Sequence, residues 1–407
     1  MKYEPLNKIY YKEPENFEQI YMSRLHGEYT ATLDFSIHDA PAFYMQTLDI
    51  SDLLIQIYKI ERKIDSLRSA LPGIALNQFT KRCLIDEIVL TNSIEGVNST
   101  RRDISKILDD LQEEDRKKRF RGLVQKYLML QGETDITLTS SQELRQIYDE
   151  LVLNEVREED PKDEPDGEIF RKGPVYVYSE TQKTIHTGVY PESEINRAIQ
   201  KALDFLNNED VEVLIHISIF HYLVGYIHPF YNGNGRLSRF VSSYLISKYL
   251  DPLLSYRLSY TIKENIKEYY DAFKICNDPK SRGDLTPFLF MFLNIIYTAA
   301  EQLYKALLKR TRYLSTYTSI MRKISCITSE REIEELGYVL IQAELFSEKG
   351  ISTQELLECL HVSRVTLNNR LNTFNECNLL ICVKDGRKNY YRINLDVLKQ
   401  LANENQN

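Results

Sequence analysis

The sequence contains little of what marks several classes of protein. It has six cysteines in 407 residues and no C-x-x-C pair, which excludes a disulfide framework and predicts buried free thiols in a reducing cytoplasm. Lys and Arg total 51 against 59 for Asp and Glu, so the formal net charge is −8. A surface that is cationic throughout and coats nucleic acid or anionic membrane is therefore excluded, and any phosphate must be bound by a local group of residues.

Long hydrophobic runs are also missing. The most apolar stretches, residues 211–220 and 288–300, carry polar residues and are shorter than the roughly 20 residues of a membrane span. The first residues are polar and lack the apolar run of a secretory signal. We therefore expect a cytoplasmic protein with no membrane partner.

Helical periodicity dominates what is present. Apolar side chains between residues 53 and 67 recur on one helical stripe. The segments 175–178 and 184–187, on either side of a polar turn, predict a β-hairpin. At roughly 150 residues per domain the length predicts two or three domains. The expected fold class is mainly α with a small hairpin.

Residues 227–239, with the sequence IHPFYNGNGRLSR, carry the strongest chemical signal. An apolar helix stops at His228, and the glycines of Gly233-Asn234-Gly235 allow consecutive backbone N–H groups to face one concavity. A second helix begins beside this turn, and a helix N-terminus attracts phosphate. These features predict an anion-binding turn.

Three side chains beside the turn suit chemistry on a phosphate. Arg236 and Arg239 are three residues apart and can face the same side of the new helix. Their guanidinium groups match phosphate oxygens because they donate two hydrogen bonds in a planar fork. His228 is the nearby group that takes up a proton near neutral pH. Together they indicate a reaction at a nucleotide phosphate.

The segment resembles the Fic family motif, H-P-F-x-[D/E]-G-N-G-R-x-x-R, and matches it at every fixed position except one. The resemblance implies a helical Fic domain in which His228 deprotonates a hydroxyl of a target protein. That hydroxyl attacks the α-phosphate of ATP, so that AMP is transferred and pyrophosphate leaves. The resemblance also implies the phosphate-binding residues: Gly233, Asn234, Gly235, Arg236 at the α- and β-phosphates, and Arg239 at the γ-phosphate.

The exception is Asn232. The family's acidic residue at this position binds a Mg²⁺ ion that bridges the phosphates, whereas Asn offers a neutral carbonyl oxygen, a weaker ligand for a hard cation. The resemblance therefore implies Mg²⁺ with Asn232 as a weak ligand. Slower transfer, a need for more Mg²⁺, and replacement by another activity all stay open.

An upstream segment, Thr91-x-x-x-Glu95-Gly96, resembles the family's inhibitory motif, [S/T]-x-x-x-E-[G/N]. The resemblance implies that Glu95 pairs with Arg239 and takes the place of the γ-phosphate.

The predicted hairpin stands where the family has a flap that positions the target near the catalytic histidine. An exposed strand edge can pair with the backbone of a target protein. The residues expected to form this flap are Val175, Tyr176, Val177, Ile185 and His186.

The last 70 or so residues predict a winged helix-turn-helix. A helix at 332–347 precedes a capping box at Ser352, a short helix, and a third helix with Val365, Leu367, Leu371 and Phe374 facing inward. Two strands joined through Asp385-Gly386 complete the wing. The expected DNA contacts are Arg364, Asn368, Arg370, Arg387 and Lys388. Basic and acidic residues are nearly balanced in this C-terminal segment, which leaves DNA binding and protein interaction equally open.

These signals divide the chain into an N-terminal helical region with the inhibitory helix (1–115), a Fic core (116–315) and a winged helix (330–407). The expected function is an autoinhibited protein adenylyltransferase that uses ATP and Mg²⁺ to modify an unidentified target protein or itself. One alternative is a winged-helix DNA-binding regulator with a nucleotide-sensing Fic domain. Others are a Fic enzyme that removes AMP, with Glu95 orienting a water, or that transfers another phosphate-containing group. A homodimer stays open.

Overall fold

Helices make up most of the chain, and the strands form small antiparallel sheets, as the periodicity predicts. The computed structural model describes residues 3–109, 119–132, 135–178, 184–327, 329–386 and 388–404. None of the helices in these ranges is both long and apolar enough to cross a membrane.

The helices that precede the motif segment are α1 (Leu6–Lys12), α2 (Phe17–Leu25), α3 (Leu48–Ser69), α4 (Gly73–Ile94), α5 (Arg101–Asp109), α6 (Arg121–Met129), α7 (Ser141–Leu151), α8 (Leu153–Glu159), α9 (Glu192–Leu206) and α10 (Val213–Ile227). Those that follow are α11 (Asn234–Tyr249), α12 (Pro252–Ser255), α13 (Leu258–Glu264), α14 (Ile266–Cys276), α15 (Thr286–Met321), α16 (Glu330–Glu332), α17 (Tyr338–Phe346), α18 (Thr353–Leu360), α19 (Arg364–Glu376) and α20 (Leu395–Glu404). A π-helical segment, Ile333–Gly337, joins α16 to α17, and single 3-10 turns occupy Pro161–Asp163 and Pro279–Ser281.

The strands are β1 (Thr30–Ile37), β2 (Ala40–Met45), β3 (Tyr176–Tyr178), β4 (Thr184–Thr187), β5 (Ile351–Ser352), β6 (Leu380–Asp385) and β7 (Lys388–Ile393). The hairpin β1–β2 pairs Thr30 with Met45 and Ile37 with Ala40. It is absent from the sequence-based expectations, although Leu33, Phe35 and Ile37 alternate with polar residues and are buried in the period-two pattern of a half-buried strand.

The chain packs as two compact units. The first comprises Met1–Glu61 and Leu84–Glu301, and the second comprises Arg62–Cys83 and Gln302–Asn407. The boundaries fall inside α3, α4 and α15. The division into 1–115, 116–315 and 330–407 follows motifs rather than packing and stays a prediction.

The motif lies in the first unit, in a short loop between two buried helices. Most side chains of α10 and of the first three turns of α11 are withdrawn from solvent. A helix that is apolar on all sides is typical of a protein core, and α10 packs against both α9 and α11. The loop at 228–233 is therefore fixed at both ends by well-packed helices.

The second unit contains the C-terminal elements in nearly the predicted order. Ser352 and Glu355 form the expected capping box of α18, and β5 adds a third strand in the order β5-β7-β6. Leu367 and Phe374 of α19 are buried as predicted, but Val365 is 70% exposed and does not face inward. The helix pair and hairpin are observed, whereas their assignment as a winged helix stays a prediction.

The six cysteines are free thiols, but only some of them match the expectation of burial. Cys83 and Cys276 are buried, whereas Cys326 and Cys382 are exposed. The exposed pair belongs to the second unit, which also contains the buried Cys83.

Candidate active site

His228 ends α10 in a left-handed conformation, with a φ of 53°, which is uncommon for a residue other than glycine. Its ring Nδ1 lies 3.4 Å from the carbonyl oxygen of Gly225. Because a carbonyl only accepts, Nδ1 carries the proton and Nε2 is the basic nitrogen. Desolvation, reinforced by the positive charge of Arg171, lowers the pKa of His228 to about 4. The imidazole is therefore neutral at pH 7 and able to take up a proton.

Arg171 holds this loop in place. Its fully buried guanidinium donates to the backbone carbonyls of His228 (2.9 Å), Gly173 (2.6 Å) and Val189 (2.8 Å). These contacts give Arg171 a structural role at the motif. One side chain connects the motif loop to the segments before β3 and after β4, and so fixes the backbone of His228.

Glycine is required at position 233, where α11 begins with a φ of 81° that disfavours other residues. The side chain of Asn234 is occupied within the loop: it accepts from the backbone N–H of Phe230 (2.9 Å) and donates to the carbonyl of Phe230 (2.8 Å). Asn234 therefore shapes the turn with its side chain, whereas the resemblance assigned it to the phosphates. A Cβ at Gly235 would collide with the carboxylate of Glu95.

Arg236 is buried but only partly paired. Its side chain is 1% exposed, and Nη2 lies 3.4 Å from both Glu159 Oε2 and Asn232 Oδ1. Within the described part of the chain, Nε and Nη1 have no hydrogen-bond partner. Buried unpaired donors are costly, and those of a cation more so. The two N–H groups are suited to an anionic ligand.

Arg239 is buried and well paired. Its Nε donates to Thr91 Oγ1 (2.8 Å), and its Nη2 donates to the carbonyl of Thr91 (3.1 Å) and to Glu95 Oε1 (2.8 Å). Thr91 lies in the last turn of α4, Glu95 directly follows the helix, and Gly96 then turns the chain with a φ of 74°. The structure thus brings the predicted inhibitory residues to the second arginine of the motif.

A cavity of about 240 Å³ lies beside the motif loop. His228, Arg239 and Glu95 line it, together with two aromatic side chains from α14, Tyr269 and Tyr270. The hydroxyl of Tyr269 is hydrogen-bonded to the buried ring of His221 at 2.8 Å, which fixes the position of the tyrosine. The cavity combines a base, a cation and an aromatic wall.

The predicted hairpin is observed as β3 and β4, with Tyr176 opposite Thr187 and Val177 opposite His186. Val177 and His186 line the cavity, and Tyr176 is exposed. Val175 directly precedes β3, and its carbonyl accepts from Gly188. Ile185 belongs to β4, but its side chain and the turn at 179–183 lie outside the described residues.

Asn232 is surrounded by groups that sequence reasoning missed. Its Oδ1 accepts from the backbone N–H of Gly233 (2.6 Å), and its Nδ2 lies 3.3 Å from Asp163 Oδ2. Asp163 and Glu159 come from an acidic stretch, residues 157–168, that contains no recognisable motif. No local pattern signals their position, because 69 residues separate Asp163 from Asn232.

The predicted DNA contacts do not all share one surface. Arg364 and Asn368 are exposed on α19, and Lys388 is exposed at the start of β7. Arg370 is instead 7% exposed, and its Nη1 donates to Glu335 Oε2 at 2.7 Å, so the structure does not place it with the others. Its spacing puts it on the packed side of α19. Arg387 lies outside the described residues.

Residues 138–246, which include the loop, both arginines and the hairpin, match the Fic/DOC family model. The chain contains a Fic domain. Two similar curated proteins are both named protein adenylyltransferase Fic: one from Drosophila yakuba, 27% identical, and one from Drosophila melanogaster, 28% identical, each over 275 residues. Each match covers 63% of this chain and 50% of the relative, so the chain spans about half the length of the curated relatives it matches.

Among solved structures, a Fic family protein from Desulfovibrio desulfuricans G20 is similar, with a TM-score of 0.52 and 20% identity. The alignment covers 86% of this chain and 97% of that one. At this identity the similarity concerns the fold, and it supports the mainly helical Fic architecture.

Proposed function

We propose that this Fic domain is an autoinhibited protein adenylyltransferase, which transfers AMP from ATP to a hydroxyl of a target protein or of the chain itself. One observation carries the proposal. A neutral imidazole at His228 and two unpartnered, buried N–H groups on Arg236 stand at the two ends of one glycine turn. The first can accept a proton and the second can bind an anion.

In the proposed reaction, the target hydroxyl oxygen attacks the α-phosphorus of ATP in line with the bond to the β-phosphate oxygen. The new P–O bond forms as that bond breaks, pyrophosphate leaves, and the hydroxyl proton passes to Nε2 of His228. Amide N–H groups of the turn, the N-terminus of α11 and Arg236 stabilise charge on the phosphate oxygens. The hairpin β3–β4 positions the target segment by pairing with its backbone.

Mg²⁺ bound with the triphosphate supplies positive charge that neutralises the phosphate oxygens. The described residues contain no group of three His, Cys, Asp or Glu side chains suited to a metal ion. That fits Mg²⁺, which proteins usually bind through one or two side chains together with substrate phosphates. Asn232 would hold it through its amide oxygen.

Inhibition follows from the pairing of Arg239. In the proposed complex this arginine binds the γ-phosphate, but Glu95 and Thr91 already take its Nε and Nη2. The Glu95 carboxylate also places negative charge beside the phosphate site. ATP then binds productively only after Glu95 withdraws, since two anions compete for one guanidinium.

The test is transfer of label from ATP to protein by the full chain. Glu95→Gly should increase labelling from ATP labelled at the α-phosphate, and ATP labelled at the γ-phosphate should give none. His228→Ala in the Glu95→Gly protein should abolish labelling. Glu209→Gly, a change at an exposed turn residue, serves as the control. Absence of α-label from every form would refute the proposal, and γ-label would point to phosphate transfer.

Removal of AMP is a second candidate because the Glu95 carboxylate lines the same cavity as His228 and could orient a water. Target protein labelled by the Glu95→Gly variant provides the substrate. The intact chain should then release AMP from it, whereas Glu95→Gly should not. Equal release by both proteins would exclude this role for Glu95.

DNA binding by the second unit is a further candidate function, carried by the exposure of Arg364, Val365 and Asn368 on α19. Arginine and asparagine bind base edges and phosphates, and an exposed valine can contact a thymine methyl group. A gel shift with genomic fragments at two salt concentrations tests this. We expect a salt-sensitive shift that Arg364→Ala weakens. Without a shift, protein interaction becomes the better interpretation.

A further inference from the structure

The side chain at position 232 is surrounded by charge, although it carries none itself. Asp163 Oδ2 lies 3.3 Å from Asn232 Nδ2 on one side, and Arg236 Nη2 lies 3.4 Å from Asn232 Oδ1 on the other. A carboxylate is therefore in direct contact with the residue that replaces the acidic metal ligand of the motif.

Both sides of this contact are held by local structure. Asp163 ends the 3-10 turn Pro161–Asp163, which begins with the Asp160 side chain accepting from the N–H of Lys162 at 3.0 Å. Asn232 is held by its bond from Gly233 and by the Tyr148 hydroxyl, which donates to the Asn232 carbonyl at 3.1 Å. The position of the carboxylate does not depend on a long mobile side chain.

The neighbouring charges create a need for a cation when a nucleotide binds. The free Nε and Nη1 of Arg236 are suited to a phosphate, yet Glu159 and Asp163 stand beside the same site. A triphosphate against Arg236 would bring further negative charge next to these two carboxylates. Like charges repel strongly in a partly desolvated site, and a divalent cation between phosphate and carboxylate would remove that repulsion.

We propose that Asp163 supplies a carboxylate ligand to the nucleotide-bound Mg²⁺. The neutral side chain of Asn232 cannot supply such a ligand. Glu159 is less suited because its carboxylate pairs with Arg236. The inference rests on the proposed function, since it places Mg²⁺ at the phosphates of a bound ATP. It also assigns a function to an acidic loop that lies far from the motif in sequence.

The test measures metal binding directly. The protein is the full-length Glu95→Gly variant, the nucleotide is the α,β-methylene analogue of ATP, which cannot donate AMP, and the metal is Mn²⁺ followed by electron paramagnetic resonance. Asp163→Asn should weaken Mn²⁺ in the ternary complex about tenfold or more. The affinity for the analogue in EDTA, measured by calorimetry, should rise rather than fall, because the repulsion between Asp163 and the phosphates is removed. Adding Asn232→Asp should restore most of the Mn²⁺ affinity.

Two controls separate a ligand from a structural role. Glu158→Gln removes an exposed carboxylate of the same acidic segment and should leave Mn²⁺ binding unchanged. Asp163→Cys should shift the preference of the ternary complex from Mn²⁺ towards Cd²⁺, because thiolates select softer metals. A purely structural Asp163 would not produce this change of metal preference.

The outcomes also distinguish the two proposals. If the analogue binds in EDTA and Asp163→Asn leaves Mn²⁺ affinity unchanged, the assignment of Asp163 is wrong and the adenylyltransferase proposal stands. If Asp163→Asn weakens the analogue equally with and without metal, Asp163 acts on the nucleotide site as a whole and the assignment is also wrong. If the analogue binds no form of the protein, both proposals fail.

Discussion

Replacing Glu95 with glutamine removes the charge that competes with ATP while keeping the shape of the side chain. The bond lost is the 2.8 Å contact from Arg239 Nη2 to Glu95 Oε1. The Arg239 side chain is 1% exposed, and the Glu95 side chain is 23% exposed. A hydrogen bond between charged groups contributes about 1.5–3 kcal/mol. Because 1.4 kcal/mol is a factor of ten, ATP affinity should rise roughly 10- to 150-fold. Glutamine still offers a neutral acceptor, so the lower part of that range is expected.

Calorimetric titration of wild type and Glu95→Gln with ATP and with AMP measures this effect. AMP lacks the γ-phosphate that Arg239 would bind, so its affinity should change little. Glu209→Gln, at an exposed turn, controls for the loss of one negative charge from the whole protein. Equal ATP affinity in wild type and Glu95→Gln would refute the competition argument. An equal gain for AMP would show that Glu95 acts on the site through general charge alone.

Two further predictions concern the base and its support. Burial lowers the pKa of His228 to about 4, and the base must be unprotonated to accept a proton. The kcat/KM of Glu95→Gln should therefore stay constant from pH 7 to below pH 6 and fall as the pH approaches 4. A fall centred near pH 6.5 would contradict this prediction. Arg171→Lys cannot reach all three carbonyls of His228, Gly173 and Val189, and each one left unpaired costs about 1–3 kcal/mol. We expect a lower Tm and slower transfer than in Arg312→Lys, an exposed control, and equal values would refute the holding role.

Local patterns predicted several elements of both units well. The apolar helix that ends at His228, the hairpin β3–β4 and the capping box at Ser352 depend on periodicity and on neighbours within a few residues. The same reasoning missed the hairpin β1–β2, although its alternation is visible at Leu33, Phe35 and Ile37. It also placed Val365 inward because helical spacing alone does not say which part of an apolar stripe finds a partner.

Contacts between distant segments set the limit of sequence reasoning at the site. The approach of Thr91 and Glu95 to Arg239 spans more than 140 residues, and only the resemblance of two motifs suggested it. No motif marks Asp163, because its role depends on where the 3-10 turn packs. Asn234 illustrates the converse. Its identity fits the motif, but its side-chain bonds to Phe230 follow from the backbone path of the loop.

The two arginines of the motif are in different states, and in the proposed mechanism that difference locates the inhibition. Arg236 keeps two N–H groups unpartnered within the described chain, whereas Arg239 donates through Nε and Nη2 to Thr91 and Glu95. In the proposed mechanism, Arg236 is therefore ready for a phosphate, whereas the position of the γ-phosphate at Arg239 is occupied by the Glu95 carboxylate. In the proposed complex, Glu95 opposes the terminal phosphate of ATP more than the nucleoside end. An acidic protein could contain the proposed phosphate site because Arg236 and Arg239 each pair with a carboxylate, Glu159 and Glu95, and in the proposed complex the nucleotide replaces Glu95.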